Sequence, residues 1–474
     1  MVGFVAAEGG WVSVKQRCMS LLSTCSSMNR LLQIHAHILT AGLQHDGFLT
    51  SLLVRFSALS PSGSVGHARL IVYRSRISIR SSWNMLIRGY VDRFLPESAI
   101  GVFMGMRSRG IAPTRLTFPF LFKACAAVSA LGQGRQFHAV VFKHGFDADV
   151  FVNNSLIHFY GACRKIRDAR RVFDEMRERT LVSWNSVISG YAVSLKFVEA
   201  TEMFFRMGSA GFEADEATFV IMLSACAHLG NLIYGKWLHS MILHSGMAMN
   251  CRLGTALVDM YAKCGAVDYA ASVFSMMEEK NVWTWSAMIL GLAQHGSAEE
   301  ALELFQLMKT SSVRPNHVTF VGVLYACSHS GLMDDGRRFF NDLQVVYGIA
   351  PRMIHYGAMV DILSRAGRLK EAYDFILNMR IDPDPVVWRT LLSACRIHDV
   401  NDTQGVADSV RKKLLKLEPK RVGNLVMVAN TYAEVGMFEK AAKLRRVMRN
   451  VGSKKEAGES SVVVDGALQG FFCG

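Results

Sequence analysis

Hydrogen-bonding side chains recur along this chain of 474 residues at intervals of 101 residues. One series comprises Asn84, Asn185 and Ser286, and another comprises Asn154 and Thr255. Amide and hydroxyl groups both donate and accept hydrogen bonds, so these residues are suited to recognising a polar ligand. The cysteine and histidine positions form no catalytic triad and no C-x-x-C pair, so we expect no catalytic residue, cofactor or metal site.

The same interval of 101 residues separates the members of four further series, which are Trp83, Trp184 and Trp285; Phe103, Phe204 and Phe305; Met106, Met207 and Met308; and Cys125, Cys226 and Cys327. Within one interval, three similar blocks of 35, 35 and 31 residues occupy 181–215, 216–250 and 251–281. A fixed period of this size indicates an array of repeats in which each unit buries its apolar face against its neighbours.

Each block has the pattern of two helices. In the block 282–316, the i, i+3, i+4, i+7 spacing of one helix face is marked by Trp285, Met288, Ile289 and Leu292. Gly296 and Ser297 then interrupt the pattern before a second amphipathic run, and Pro315 ends the block. We therefore expect the recurring Trp, Phe, Met and Cys side chains to be core residues.

The formal net charge of +14 favours a polyanion such as nucleic acid as the partner, although a solvated positive surface would give the same number. The ten cysteines form no C-x-x-C pair, which fits a reducing compartment.

Residues 217–235 carry no formal charge, yet we interpret them as a buried helix hairpin rather than a membrane span. Lys15, Arg17 and Arg30 against Glu8 are compatible with an organelle transit peptide that includes residues 1–14.

Longer motifs identify the family that the repeats resemble. SWNSVISGYA (183–192) and SWNMLIRGYV (82–91) resemble the P motif of plant pentatricopeptide repeat (PPR) proteins of the PLS subclass. TFPFLFKACAAVSALGQGRQFHAVVFKHGF (117–146) resembles the L motif and NNSLIHFYGACRKIRDARRVFDEM (153–176) the S motif. VVWRTLLSACRIH and NTYAEVGMFEKAAKLRRVMR resemble the C-terminal E region of that family.

The resemblance implies an all-α fold, a right-handed α-solenoid of helix-turn-helix repeats. It divides the chain into an N-terminal segment (1–14), a PLS array of about 11 repeats whose first two are degenerate (15–384), an E region of two PPR-like helical pairs (385–465) and a short tail (466–474).

The same resemblance implies binding of single-stranded RNA, with one base per repeat read by the fifth and last residues. The residues that would contact base edges are Asn84, Thr114, Asp149, Asn154, Thr180, Asn185, Asp215, Asn250, Thr255, Asn281, Ser286, Asn316 and Asp384. The second residues that would pack against base faces are Phe151, Val182, Trp283, Val318 and Ile354, and the guanidinium of Arg252 could stack. Capping of a helix start is the structural alternative for each Asn or Thr.

By the family's code, Asn185/Asp215 favours uridine, whereas Thr255/Asn281 and Ser286/Asn316 favour adenine. Asn84/Thr114 and Asn154/Thr180 lean to pyrimidine. The L blocks carry Pro119, Val220 and Val321 at the fifth position, and these side chains cannot hydrogen-bond, so their repeats should discriminate poorly. The implied target, 5′ to 3′, is Y-n-Y-U-n-A-A-n-n.

A deaminase domain of the DYW type would need H-x-E and C-x-x-C motifs around zinc, and the sequence contains neither. We therefore expect a non-enzymatic RNA-binding protein of the mitochondrion or chloroplast. It would specify a site of C-to-U editing and recruit a deaminase in trans through residues 385–465. At the end of the E region, where the family usually has PG-C-SW, this chain has AGESSV at 457–462, without the Pro and the Trp. This difference favours an alternative, a factor for RNA stabilisation, splicing or translation. A protein-binding helical scaffold is a further alternative.

Overall fold

The structure, a computed structural model, describes residues 5–75, 79–398, 405–450, 458–464 and 467–473, with side chains for 14–75, 79–398 and 405–449. The chain divides into two compact units, residues 1–247 and residues 248–474. Parts of the predicted segments lie outside the described residues: residues 1–4 of the N-terminal segment, 76–78 of the repeat array, 399–404, 451–457 and 465 of the E region, and 466 and 474 of the tail. Ala457 of the AGESSV stretch is among them.

The first unit contains fourteen helices within its described residues. They are α1 (Val5–Ser23), α2 (Met28–Thr40), α3 (Gly47–Leu59), α4 (Val65–Arg74), α5 (Arg80–Asp92), α6 (Pro96–Ser108), α7 (Thr117–Ala127), α8 (Leu131–Lys143), α9 (Val150–Ala162), α10 (Ile166–Glu175), α11 (Leu181–Val193), α12 (Phe197–Ser209), α13 (Glu216–Leu229) and α14 (Leu232–His244).

The second unit contains twelve helices and two strands within its described residues. The helices are α15 (Cys251–Lys263), α16 (Val267–Met276), α17 (Val282–Gln294), α18 (Ala298–Thr310), α19 (His317–His329), α20 (Met333–Val345), α21 (Met353–Arg365), α22 (Leu369–Leu377), α23 (Pro385–His398), α24 (Val406–Leu417), α25 (Val422–Glu434) and α26 (Phe438–Asn450). The strands are β1 (Gly458–Val464) and β2 (Ala467–Cys473).

The predicted two-helix blocks are confirmed, and within each unit successive blocks pack on one another as the repeats of an α-solenoid do. In the block 282–316, α17 ends at Gln294, Gly296 adopts a left-handed φ of +90°, and α18 follows. The stretch 217–235 is likewise a hairpin, since α13 stops before the left-handed Gly230. None of the helices in the described ranges combines the length and apolar character that a membrane crossing requires.

Aromatic pairs join several helix pairs to the next one within a unit. Phe173 in α10 meets Trp184 in α11 edge to face, with ring centroids 4.8 Å apart. Phe274 and Trp285 repeat the contact at 5.0 Å in the second unit. First helices also approach closely, since a Cβ added at Gly291 would lie 2.5 Å from the Cβ of Ala262. The recurring Trp, Phe and Met residues are buried as predicted, so they account for the fold rather than for ligand contact.

The recurring cysteines also serve as core residues. Cys125, Cys226 and Cys327 are fully buried. Burial raises the pKa of Cys125 and of Cys327 to about 12, so these two thiols stay protonated and unreactive near neutral pH.

A hairpin of strands near the C-terminus departs from the all-α expectation. The strands β1 and β2 pair antiparallel, with Gly458 opposite Cys473 and Val464 opposite Ala467. Three consecutive valines, 462–464, favour a strand because β-branched side chains pack well on a pleated surface. The helical repeat pattern therefore gives way to a different local preference after α26.

Candidate functional site

For each repeat, the register defines a set of three residues, which we call a junction. It comprises the fifth residue of one repeat, the last residue of that repeat and the third residue of the following repeat. We call a junction polar where its fifth residue is Asn, Ser or Thr, and apolar where it is Pro, Val or Gly. The last residue commonly caps the next first helix: Asp215 and Asn316, for example, accept backbone N–H groups of α13 and α19.

The first polar junction, Asn84–Thr114–Thr117, is a closed ring of hydrogen bonds. Asn84 Nδ2 donates to Thr114 Oγ1 at 2.9 Å, and Thr117 Oγ1 donates to Asn84 Oδ1 at 2.7 Å. The backbone N–H of Thr114 donates to Thr117 Oγ1 at 2.9 Å. The structure thus brings the predicted pair Asn84/Thr114 into direct contact and adds a third member.

The junction Asn185–Asp215–Thr218 has the same form with a carboxylate in it. Asn185 Nδ2 donates to Asp215 Oδ1 at 3.1 Å, and Thr218 Oγ1 lies 2.7 Å from both Asn185 Oδ1 and Asp215 Oδ1. Burial raises the pKa of Asp215, but hydrogen bonds from the backbone and hydroxyl of Thr218 and from Asn185 outweigh it, so the pKa lies below its usual value. Asp215 is therefore an ionised acceptor at neutral pH.

The junction Asn154–Thr180–Ser183 is looser, although its fifth and last residues match those of the first one. Asn154 Nδ2 is 3.5 Å from Thr180 Oγ1, at the limit of a hydrogen bond. Among the described residues, the buried Oδ1 of Asn154 has no hydrogen-bond partner. Ser183 Oγ accepts from the backbone N–H of Thr180 at 3.0 Å, as Thr117 Oγ1 does from Thr114, so the two junctions differ at the amide of the fifth residue.

The predicted pair Thr255/Asn281 is linked only through a third residue. Thr255 Oγ1 lies 2.6 Å from Thr284 Oγ1 and also donates to the carbonyl of Cys251. Thr284 Oγ1 donates to Asn281 Oδ1 at 3.1 Å, and that oxygen caps α17. The hydroxyl of Thr284 therefore bridges the two residues.

The junction Ser286–Asn316–Thr319 is the most deeply buried at its fifth position. Ser286 is 1 % exposed, whereas the other four fifth residues of polar junctions are partly exposed. Ser286 Oγ lies 2.7 Å from Thr319 Oγ1 and 3.3 Å from Asn316 Oδ1, and it donates to the carbonyl of Val282 at 2.7 Å. A ligand at this junction would meet the half-buried Asn316 more readily than Ser286.

Three of the four apolar junctions keep the side-chain cap of the next helix without the ring. Asp149 accepts from the backbone N–H groups of Phe151 and Val152 and lies 3.8 Å from Arg115 Nη1, while its partner Pro119 has no donor. Asp384 accepts from the backbone N–H groups of two residues of α23, and its partner Gly357 has no side chain. Asn250 caps α15 with its side chain.

The junction Val321–Arg352–His355 shows what replaces the hydroxyl. The backbone N–H of Arg352 donates to His355 Nδ1 at 2.9 Å, and His355 Nε2 donates to the carbonyl of His317 at 2.8 Å. Both ring nitrogens are therefore used by the backbone. Val321 is buried and receives nothing from them.

The second residues of several repeats are apolar side chains that are exposed to solvent. Phe151 is 74 %, Val182 59 % and Trp283 54 % exposed, and Ile354 is also exposed, whereas Val318 is half-buried. Flat apolar groups in such positions can pack against the faces of planar ligands. Their exposure is compatible with packing against base faces, which stays a prediction.

Sequence reasoning missed two groups of residues. The third residues of the polar junctions are all fully buried, and they are Thr117, Ser183, Thr218, Thr284 and Thr319. The sequence does distinguish them, because polar junctions have Ser or Thr at this third position, whereas three apolar junctions have Val152, Leu253 and Val387 there. Leu116 and Val386 are further exposed second residues that the register could have found.

In the predicted E region, the position equivalent to a fifth residue carries a charged side chain. Arg389 Nη1 lies 3.1 Å from Glu418 Oε2 and donates to Asn424 Oδ1 at 3.1 Å. Arg421 donates to Glu418 Oε1 and Asn424 donates to Glu418 Oε2; these hydrogen bonds and the two guanidinium charges hold the pKa of Glu418 below its usual value. The guanidinium is thus held by protein groups at a point where the array has amides and hydroxyls.

Comparison with known families agrees with the repeat register. Residues 81–127, 179–228 and 280–329 match the PPR repeat family, and residues 154–181, 255–282 and 354–382 match the PPR repeat. Residues 403–463 match the E motif.

Curated relatives cover nearly the whole chain. "Pentatricopeptide repeat-containing protein At2g36730" from Arabidopsis thaliana is 54 % identical over 99 % of this chain and 93 % of its own length. "Pentatricopeptide repeat-containing protein At1g59720, chloroplastic/mitochondrial", from the same plant, is 39 % identical over 97 % of this chain and 74 % of its own length. The crystal structure of the pentatricopeptide repeat protein PPR10 in complex with an 18-nt psaJ RNA element aligns with a TM-score of 0.65 at 16 % identity, over 90 % of this chain and 64 % of that chain.

Proposed function

Because this chain belongs to the pentatricopeptide repeat family of plant proteins, with an E-type C-terminal region, we propose that it binds single-stranded RNA and selects bases at its polar junctions. One observation carries the proposal. Five junctions present amide, carboxylate or hydroxyl groups beside the fifth residue, and the exposed apolar second residues recur in the same register. The net charge of +14 fits a phosphate backbone.

The junction Asn185–Asp215 supports the assignment of uridine. Asn185 and Thr218 both direct their hydrogen bonds to Asp215 Oδ1, which leaves Oδ2 to accept from uracil N3–H. The second N–H of Asn185 Nδ2 can donate to a carbonyl of the same base. Cytosine has no hydrogen on N3, so it would place a lone pair against the ionised carboxylate.

The junctions with Asn281 and Asn316 support adenine. Both residues use Oδ1 to cap a helix, so Nδ2 is the group that each can offer to a base. Adenine N1 accepts a hydrogen bond, whereas guanine N1 carries a hydrogen. With pyrimidine at Asn84 and Asn154 and no selection at the apolar junctions, the proposed target stays Y-n-Y-U-n-A-A-n-n.

We propose further that this recognition serves C-to-U editing in an organelle, with a deaminase recruited in trans through residues 385–465. The E-motif match and relatives named chloroplastic or mitochondrial support an organellar role. Of the two compartments, we propose the mitochondrion. Arg389 is held by Glu418 and Asn424, which fits a region that docks a partner rather than one that reads bases. Catalysis would come from the partner.

A second candidate keeps RNA binding and drops editing. The AGESSV sequence at 457–462 favours it, since the family's ending at that point contains Pro and Trp. Sequencing organellar transcripts in a null mutant separates the two. Loss of one C-to-U site supports editing, whereas full editing with altered transcript ends or splicing supports stabilisation, splicing or translation.

RNA binding itself is tested with synthetic RNAs and the full chain. We expect the RNA with both target adenines to bind about 25-fold more tightly than one with cytidines there, because each of the two positions loses a hydrogen bond that contributes about fivefold. Equal affinity would overturn the base assignment. Binding should weaken steeply with added salt, since phosphate contacts release counterions. Binding unaffected by salt would favour a protein-binding scaffold instead.

A further inference from the structure

Two junctions of the first unit share the pair Asn and Thr but differ in the third residue. At Asn84–Thr114 the third residue is Thr117, and at Asn154–Thr180 it is Ser183. The pair alone gives the two repeats the same pyrimidine preference. Their hydrogen bonds are different, so we compare what each arrangement does to the amide of the fifth residue.

The amide of Asn84 has one favoured orientation. The hydroxyl of Thr117 accepts from the backbone N–H of Thr114 at 2.9 Å and sends its single proton to Asn84 Oδ1 at 2.7 Å. Turning the amide over would send that proton to Thr114 Oγ1, which is 3.3 Å away and beyond the usual O–H···O distance. Asn84 Nδ2 therefore stays on the side of Thr114 Oγ1, and its second N–H is presented in a fixed direction.

The amide of Asn154 has no such restraint. Its Oδ1 is buried without a hydrogen-bond partner among the described residues, and its Nδ2 is 3.5 Å from Thr180 Oγ1. If the amide turns over, Oδ1 can accept from the hydroxyl of Thr180, and Nδ2 takes the unpartnered place. Each orientation leaves one group unsatisfied, so neither is strongly favoured.

We propose that the third residue of the following repeat is a positioning residue for base choice where the last residue is Thr: Thr117 fixes the amide of Asn84, and Ser183 leaves that of Asn154 free to turn over. This rests on the proposed RNA-binding function and deepens it. Thr117 is fully buried and would not touch RNA. A fixed N–H selects O2, the acceptor that uracil and cytosine share, whereas an amide that turns over can serve as donor or acceptor to any base.

A carboxylate makes the third residue unnecessary for orientation. At Asn185–Asp215, the ionised Oδ1 requires a donor, so Asn185 Nδ2 faces it whatever Thr218 does. This junction is therefore the matched control. Valine is a suitable replacement for the third-position threonine, because Val152 and Val387 occupy that place in apolar junctions and are buried there.

The test uses the full chain, RNAs in which the base facing one repeat is varied through A, C, G and U, and the melting temperature of each variant. In Thr117→Val we expect the pyrimidine preference at repeat 80–114 to fall about fivefold, which corresponds to one hydrogen bond. In Ser183→Thr we expect the preference at repeat 150–180 to rise by about the same factor. In Thr218→Val the uridine preference should persist, although its melting temperature should fall as much as that of Thr117→Val.

Three results would overturn the proposal: unchanged preference in Thr117→Val, unchanged preference in Ser183→Thr, or an equal loss in Thr218→Val. The second variant keeps a hydroxyl and adds a methyl group, so it decides the matter even if Thr117→Val fails to fold. If the wild-type chain binds no RNA, or binds all bases equally at every repeat, the proposed function itself fails, and that outcome is distinct from the other three.

Discussion

Two consecutive junctions of the second unit differ in chemistry although their helices are alike. At Ser286–Asn316–Thr319, hydroxyl and amide groups bond to one another across the repeat boundary. At Val321–Arg352–His355, the imidazole bonds to the backbone on both sides and leaves the fifth residue apolar. The third residue satisfies a backbone N–H of the last residue in both cases.

The comparison separates two kinds of hydrogen bond: those that satisfy the backbone and so stabilise the solenoid, and those that involve the fifth residue and could contact a ligand. Satisfying the backbone at a helix start is required in every repeat, since buried N–H groups without partners are costly. A hydroxyl does this and can still bond to the fifth residue, whereas His355 spends both ring nitrogens on the backbone. On the proposed function, a repeat can therefore lose base selection and keep its fold.

The largest effect should come from a residue that serves both junctions as core. Phe320 in α19 is fully buried against Phe305 and Tyr347, with ring centroids at 5.6 and 5.1 Å. We expect Phe320→Ala to lower the free energy of unfolding by about 3–5 kcal/mol, measured by denaturant titration. Affinity for all RNAs should fall evenly. A selective loss of adenine preference at one position, with stability intact, would contradict this separation.

A smaller effect is expected where a cap and a reading residue coincide. Asn316 accepts from the backbone N–H groups of Val318 and Thr319, so Asn316→Ala should cost about 1 kcal/mol of stability. It should also remove the adenine preference at repeat 282–316. The control is Arg352→Ala in the next repeat. Because the side chain of Arg352 does not cap a helix, this variant should lose neither that stability nor the adenine preference. Base discrimination that survives in Asn316→Ala would remove that residue from the reading set.

Transplanting a polar junction would sharpen the comparison. The triple variant Val321→Asn, Arg352→Asp and His355→Thr copies Asn185–Asp215–Thr218 into the apolar junction. We expect a new preference for uridine at repeat 317–352 of about fivefold, from one added hydrogen bond. Binding assays with the facing base varied would measure it. Retained RNA binding with no base preference there would show that the three residues are insufficient.

The smallest effect concerns acid sensitivity of the apolar junction. Burial is the main cause that lowers the pKa of His355, and the charges of His317 and Arg352 add to it against the opposing hydrogen bonds to the backbone. Because the folded pKa lies below the unfolded value of about 6.5, His355 contributes stability that is present above about pH 6.5 and is lost as pH falls. His355→Gln keeps an acceptor and a donor, so its melting temperature should fall less between about pH 7.5 and 5.5. An equal fall in both proteins would exclude His355 as a cause.

Much of the fold was predictable because the core repeats in sequence. Trp285, Phe305 and Met308 report the register, and helical spacing gives the helix pairs around them. The contacts within a junction were harder to predict from the sequence, because they join residues such as Asn84 and Thr117 through side-chain hydrogen bonds. Thr117 was overlooked because a buried hydroxyl in an apolar helix has the appearance of a core residue.

Other features depended on local competition that a repeat pattern does not reveal. Thr255 and Asn281 were paired by position, but the short hydroxyl of Thr255 reaches Cys251 and Thr284 rather than Asn281, and Thr284 bridges the pair. The burial of Ser286 follows from its hydrogen bonds to Val282 and Thr319. The strand β1 follows a change to β-branched residues, Val462, Val463 and Val464, after the helical pairs.

The most direct test of the account is the response of the wild-type chain to single-base changes in the RNA Y-n-Y-U-n-A-A-n-n. Replacing the uridine that faces repeat 181–215 should weaken binding about fivefold or more, because a hydrogen bond to Asp215 or Asn185 is lost. Replacing the base that faces repeat 317–352 should leave affinity within about twofold, because Val321 offers no hydrogen bond. Equal responses at the two positions would contradict the claim that polar junctions select bases and apolar junctions do not.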